Sequence, residues 1–166
     1  MTVGTRLLSE RLIKNHFPHL RYVRIHTQGR NEATIYAWNE DLQLPEKEIR
    51  DLRQFASDYL QPYICFKVKS YNSVQTDHIP HVHDLPESII QTAMTRNLDQ
   101  YGIVAAINRL FSGGHLRFDR YDSIRGTIHF EFQASKHLPS VDKELITTYL
   151  SEMIPLGSNC EVAFSS

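Results

Sequence analysis

Apolar residues recur at helical spacing over residues 5–17, where Leu8, Leu12 and His16 share one side with Leu7 and Ile13 flanking, and the pattern stops before Pro18. Two alternating runs follow, at 20–27 and 33–38, with Gly29 in the turn between them, which predicts a β-hairpin. Leu44-Pro45-Glu46 opens a second helix with proline in the first turn and Glu46 and Glu48 near the positive end of the dipole. Ile49, Leu52, Phe55, Ala56 and Tyr59 form its stripe, Gln61-Pro62 ends it, and 63–69 reads as a closing strand.

Periodicity disappears from 70 to 85, where polar, proline-containing sequence predicts a linker. Leu85-Pro86-Glu87 then starts a helix carrying Ile89, Ile90, Ala93, Met94 and Leu98, which has no counterpart before the linker. It is expected to lie across the seam between the halves or to feed a dimer interface. Beyond it the first pattern returns. A helix over 99–111 (Ile103, Ile107, Leu110) stops at Gly113-Gly114, strands span 116–121 and 127–133, a helix runs from 140 to about 153, and a strand closes at 159–164.

The return is visible in the letters. His19-Leu20-Arg21-Tyr22-Val23-Arg24 matches His115-Leu116-Arg117-Phe118-Asp119-Arg120 at four of six positions, an offset of 96. Thr34, Tyr36 and Trp38 then align with Ile128, Phe130 and Phe132 at an offset of 94, which implies a two-residue deletion in the second hairpin turn. Ile64, Phe66 and Val68 align with Cys160, Val162 and Phe164 at 96 again. The chain therefore reads as an internal duplication: residues 1–69 as a first αββαβ repeat, 70–98 as linker and connecting helix, 99–166 as a second αββαβ repeat. The fold class is α+β, a tandem duplication of a ferredoxin-like αββαβ unit with an extra linker helix. Because each three-stranded sheet leaves a face and its edges open, the two repeats are expected to pack about an approximate twofold axis, sheet face to sheet face or edge to edge.

Composition adds only boundaries. Hydrophobic content of 41%, charged content of 22% and a formal net charge of -1 fit a soluble globular chain and give no bulk reason to expect nucleic acid. The apolar run 103–107 is too short to cross a bilayer and no apolar signal segment opens the chain, so a cytoplasmic location is expected. Cys160 shares a phase with Val162 and Phe164 whereas Cys65 shares a face with Lys67, so the two thiols are read as structural and unbridged.

The linker holds the densest candidate chemistry. Asp77, His78, His81 and His83 supply ligand types preferred by zinc-like divalent metals, with His81 and His83 on one side of an extended chain and His78 reaching round through Pro80. His26 and His129, one per repeat, evoke two-histidine phosphoesterases, but their triplets, His26-Thr27-Gln28 and His129-Phe130-Glu131, lack the hydroxyl residue two positions on, and they stand on different strands of their units. Arg21 with Arg24, and Arg117 with Arg120, offer two anion sites; strand alternation sends each pair to opposite faces, so one arginine of each is expected to pair with a neighbouring carboxylate. Tyr22, Tyr36, Trp38, Phe118, Phe130 and Phe132 read as core rather than as base-stacking residues. No glycine-rich phosphate loop, nucleophile elbow or helical HExxH motif occurs.

With Phe17-Pro18-His19-Leu20 before a strand, Gly29 in the turn, Leu42-Gln43-Leu44-Pro45 before a helix, and Arg120, Gly126 and Thr127-Ile128-His129-Phe130-Glu131 in the second repeat, the chain resembles the cytoplasmic C-terminal domain of cation diffusion facilitator proteins, in tandem and without the membrane part. The resemblance implies a dimerising domain that binds divalent metal. Tyr36 stands near where the first repeat would carry the strand histidine, so only His129 carries over as a ligand, giving the set Asp77, His78, His81, His83 and His129. The same element order also occurs in ring-building domains of secretion and sporulation complexes, which oligomerise. The resulting expectation is a non-enzymatic binding, regulatory or oligomerisation module, self-associating as a homodimer, with divalent metal as the leading ligand. A phosphoesterase-like enzyme and a pure assembly module are the alternatives.

Overall fold

The structure, a computed structural model, describes residues 4–29, 31–60, 64–79 and 84–165. Helix α1 (Arg6–His16) starts behind Thr5, whose hydroxyl accepts the Leu8 N–H. Strands β1 (Leu20–Gly29) and β2 (Glu32–Asn39) form the hairpin. Helix α2 (Glu46–Phe55) follows Pro45 and runs on through one π turn, Ala56–Leu60, to β3 (Cys65–Ser70), which returns parallel to β2. A single turn of helix, α3 (Ser73–Thr76), lies in the segment read as periodless linker, and α4 (Glu87–Ala93) follows Pro86. Then come α5 (Gln100–Leu110), capped by the Asp99 carboxylate on the Gly102 N–H, β4 (Gly114–Asp122), β5 (Thr127–Ala134), α6 (Ser140–Met153) behind Pro139, and β6 (Asn159–Ser165) parallel to β5. Both sheets have the hairpin-plus-parallel-strand order, β1-β2-β3 and β4-β5-β6. The fold is α+β, a ferredoxin-like αββαβ unit present twice.

Each unit has its own core. In the first, Leu20, Val23, Ile25, Ala33, Ile35, Ala37, Phe66 and Val68 pack beneath Ile13, Leu52, Ala56 and Leu60. In the second, Leu116, Phe130 and Phe132 pack beneath Ile103, Ile107, Ile146, Leu150 and Met153, and α4 adds Ile89 and Ala93. Helix α4 thus fills a place in the second core and also touches α1, across the seam.

The halves do not meet through their sheets. Among the described residues the two sheets are separate and no strand of one pairs with a strand of the other. Helix α1 carries the contact instead. Thr5 donates its hydroxyl to the Ala93 carbonyl at 2.6 Å, and the Leu156 N–H donates to the Gly4 carbonyl at 2.9 Å. Leu156, from the loop after α6, is buried in the first core, while Leu7 packs against the second. Arg6 joins Glu10 on its own helix (2.9 Å) to Glu152 on α6 (2.6 Å), with all three side chains largely shielded. Exchanging leucines between two small cores hides apolar surface that neither unit could cover alone.

Three details of the repeat alignment change. The hairpin connection of the second unit, Asp122 to Thr127, is longer than that of the first, Gly29 to Glu32, so no deletion lies there. In β2 it is Ala33, Ile35 and Ala37 that face the helices, with Thr34 and Tyr36 on the opposite side, whereas Phe130 and Phe132 face the helices in β5. Ile35 lies beside Val68 as Phe132 lies beside Phe164, so those residues correspond and Tyr36 has no core equivalent. Gly114 is not a helix stop: a Cβ there would come within 2.5 Å of the Gln133 carbonyl oxygen and 2.8 Å of the Ala134 Cα, so glycine permits close strand pairing.

Candidate functional site: an open margin of the second sheet

The linker residues are engaged in structure. Tyr71 docks its ring on Trp38 (5.0 Å between centroids) and Tyr22 (5.7 Å), and α3 continues over the helix-free face of the first sheet. Tyr36, fully buried, donates its hydroxyl to Asp77 Oδ2 at 2.9 Å, and Lys69 donates to the same oxygen at 2.9 Å. Those two donors, Lys69 first, hold the Asp77 carboxyl below its ordinary range, while burial, reinforced by Asp77, pushes the Tyr36 phenol up to about 12. Among the expected metal ligands, Asp77 and His78 therefore lie over the first sheet, His129 sits on β5 of the second sheet with Glu161 at 3.5 Å, and His81 and His83 lie outside the described residues. Among the described residues no group of three or more His, Cys, Asp or Glu side chains is placed to hold a metal ion.

His26 stands on β1, an edge of the first sheet, and His129 on the central strand of the second, so the two are not equivalent positions. Burial, with Arg24 and Arg6 nearby, lowers the His26 pKa. Cys65 is exposed and Cys160 half-buried, both unbridged, and burial raises the Cys160 thiol pKa. Tyr36, Phe130 and Phe132 are buried, as their alternation implied, whereas Tyr22 and Phe118 are exposed.

The matched hexapeptides diverge through their bulges. In β1 the ladder slips between Leu20 and Tyr22; in β4 it slips between Phe118 and Arg120. A one-residue slip sends everything beyond it to the other face. Tyr22 accordingly joins the Trp38 cluster on the helix-free face, while Phe118 turns to the helix side and meets Phe130 edge-on at 6.1 Å. Arg117 pairs across the ladder with Glu131, and Arg120 stands opposite His129; as Glu131 and His129 share a face of β5, both arginines project from one face rather than two. Glu131 accepts from two guanidinium nitrogens of Arg117 and raises its pKa, which meets the expectation of a carboxylate partner in this repeat.

Strand β4 is an edge, and its margin with α5 is open. Tyr101 is 75% exposed, Tyr121 55% and Phe118 36%. Two clefts flank Phe118. One, of about 470 Å³, lies along Tyr101, Val104, Ala105, Asn108 and Leu116; the other, of about 350 Å³, lies along Leu98, Ile103, Tyr121, Ile128 and Phe130. The first unit's corresponding margin is treated differently. Glu10 of α1 reaches the edge strand and accepts the Ile25 N–H at 2.8 Å, although burial holds its carboxyl pKa above the ordinary range. In the second unit, among the described residues, Asn108 satisfies the edge at Leu116 alone, accepting its N–H at 2.8 Å and donating to its carbonyl at 3.2 Å. Sequence reading missed Tyr101, Asn108 and Tyr121. The available signal was a tyrosine beside the helix cap and an edge strand rich in charge.

No family model matches the chain, and no curated protein matches it. Among solved structures, the periplasmic domain of the type III secretion inner-membrane protein PrgH from S. typhimurium is similar in outline at 14% identity over 98% of this chain and 76% of that one, with a TM-score of 0.34. A longer fragment of the same domain gives 0.32, with 98% and 70% covered, and a further structure of the domain gives 0.32, with 98% and 68%. A likeness at that level transfers no function to this chain. Among the described residues no helix is long and apolar enough to cross a membrane.

Proposed function

We propose that this chain is an assembly module, a non-enzymatic protein that associates with further copies of itself through the α5–β4 margin. The observation that carries this reading is the row Tyr101, Phe118 and Tyr121, held in the open beside an unpaired edge strand and two apolar clefts. Exposed aromatics clustered at a groove mark interaction surfaces, and unpaired edges invite a partner strand. Several of the displaced groups are engaged in structure: Glu10 serves the seam, Tyr36 and Asp77 hold the linker, and Asp122 caps its own turn through the Arg125 and Ile124 amides. Divalent metal was the leading ligand expected from the sequence, but Asp77 is already bonded twice and His129 lies on the other sheet, so assembly is the better-supported reading.

Sedimentation of the wild-type chain with Tyr101→Glu and Phe118→Glu tests the proposal. Concentration-dependent association is expected of the wild type, with each variant shifted to monomer and an unchanged circular dichroism spectrum. A wild type that stays monomeric throughout the micromolar range, or variants that associate as the wild type does, would overturn it.

A further inference from the structure

We infer that two copies join by antiparallel pairing of β4 with the partner's β4, about a twofold axis passing through the bulge at Asp119, to form one sheet running from β6 of one copy to β6 of the other. This rests on the self-association reading above and supplies its geometry.

The sequence of the free edge is complementary to itself. Reading Arg117-Phe118-Asp119-Arg120-Tyr121-Asp122 against its own reverse places Arg117 opposite the partner's Asp122, Phe118 opposite the partner's Tyr121, and Asp119 opposite the partner's Arg120. Every match joins opposite charges or two aromatics, the cross-strand pairs that favour antiparallel neighbours.

In an unbroken strand this pairing is forbidden. A twofold axis normal to a sheet keeps each face on its own side, so matched residues must point the same way, while residues three apart, such as Phe118 and Tyr121, point opposite ways. The bulge between Phe118 and Arg120 removes the conflict. It places Phe118 opposite Phe130 and Tyr121 opposite Ile128, on the same face, and both rings line one cleft. It likewise places Arg117, opposite Glu131, on the same face as Asp122, opposite Thr127. The irregularity that would ordinarily deter edge pairing is, at this position, what brings the two halves of the match into phase.

The limits of the free run agree. Asn108 already satisfies both backbone groups of Leu116, and the strand ends at Asp122, so the segment left for a partner is the self-matching one. The other edge strands lack the pattern. Strand β1 carries Arg21, Arg24 and His26 with no carboxylate, and Glu10 occupies its Ile25 amide; β3 carries Lys67 and Lys69 with no acid; β6 carries Glu161 with no base. Two copies of any of these would bring like charges together. Asp119 and Arg120, exposed and only 3.8 Å apart within one chain, would exchange partners across the axis.

Cross-linking tests the geometry. With exposed Cys65 replaced by serine, Arg120→Cys places the two introduced sulfurs diagonally beside the axis, where Cα atoms about 5 Å apart across the strands and about 3.3 Å apart along them lie about 6 Å from each other, inside the roughly 4.4–6.8 Å that a disulfide spans. Mild oxidation is expected to give a covalent dimer, while His115→Cys in the same background, far from the axis, gives none. Asp119→Arg is expected to weaken association about tenfold or more, and Asp119→Arg with Arg120→Asp to restore it, since the swap rebuilds both cross-axis pairs. A protein that dimerises but yields no Arg120→Cys cross-link, or no recovery in the swap, overturns this geometry and leaves the assembly reading standing; a monomer at every concentration overturns both.

Discussion

Replacing Arg6 with methionine keeps the aliphatic stem of the side chain and removes the cation that joins Glu10 to Glu152. Both carboxylates are largely shielded, at 14% and 20% side-chain exposure, so they would be left facing each other without compensation. Removing one partner of a buried charge group costs about 3–5 kcal/mol, and the residual exposure argues for the lower end, about 3 kcal/mol. For a chain of this size that corresponds to a fall in Tm of about 6–12 °C. The loss has a pH signature. The Glu10 pKa is already raised by burial, and Arg6 is the principal group lowering it, so the variant raises it further. A carboxyl whose pKa rises on folding favours the folded state below its unfolded value, and that contribution disappears as pH climbs through the folded value. The deficit in Arg6→Met is therefore greatest at neutral pH and shrinks on acidification toward the ordinary glutamate range. Thermal melts of wild type and variant across that range make the comparison. A Tm within about 2 °C of wild type at neutral pH, or a deficit that does not change with pH, would refute the claim that charge closes the seam between the units.

Gly114→Ala is expected to cost about 1–3 kcal/mol, because the added carbon meets backbone on β5, whereas Gly113→Ala, with nothing within 4 Å of its Cβ, should stay within about 0.5 kcal/mol of wild type; thermal melts separate the two. Tyr36 gives an alkaline transition. Its folded pKa, raised to about 12, means that its contribution is intact below the ordinary phenol value of about 10 and is lost as pH rises through 12, which the fluorescence of the single tryptophan, Trp38, should report through its contact with Tyr71. Tyr36→Phe is expected to abolish that step, and an unchanged alkaline profile would count against the linker clasp.

The order of elements was legible because its signals are local. Pro45 and Pro139 mark helix starts, Thr5 and Asp99 cap theirs, and the stripes Leu52 and Phe55, or Ile146 and Leu150, repeat at helical spacing. Which face a strand presents was not legible, because it depends on bulges. The slips at Arg21 and Asp119 leave no mark in the letters His-Leu-Arg, yet they send Tyr22 and Phe118 to opposite faces and bring Arg117 and Arg120 to one. Strand β2 misled for another reason. Both its faces are buried, one by α1 and α2 and the other by the linker, so apolar residues occupy both phases and the period-2 signal fades. The seam was hidden as well, since Leu7 and Leu156 each read as members of their own unit while packing into the other. Of the candidate surface, Phe118 was singled out for a core role, and Tyr101 and Tyr121 gained meaning only once β4 proved to be an open edge.

Amide hydrogen exchange followed as a function of protein concentration tests the central claim most directly, because a paired strand edge is protected and a free one is not. Assembly through the α5–β4 margin predicts that the amides of residues 117–122 that point away from β5 gain protection as concentration rises, in step with the sedimentation-measured fraction of associated chain, while those of β1 do not change. Exchange of those outward amides that is fast and independent of concentration would contradict it.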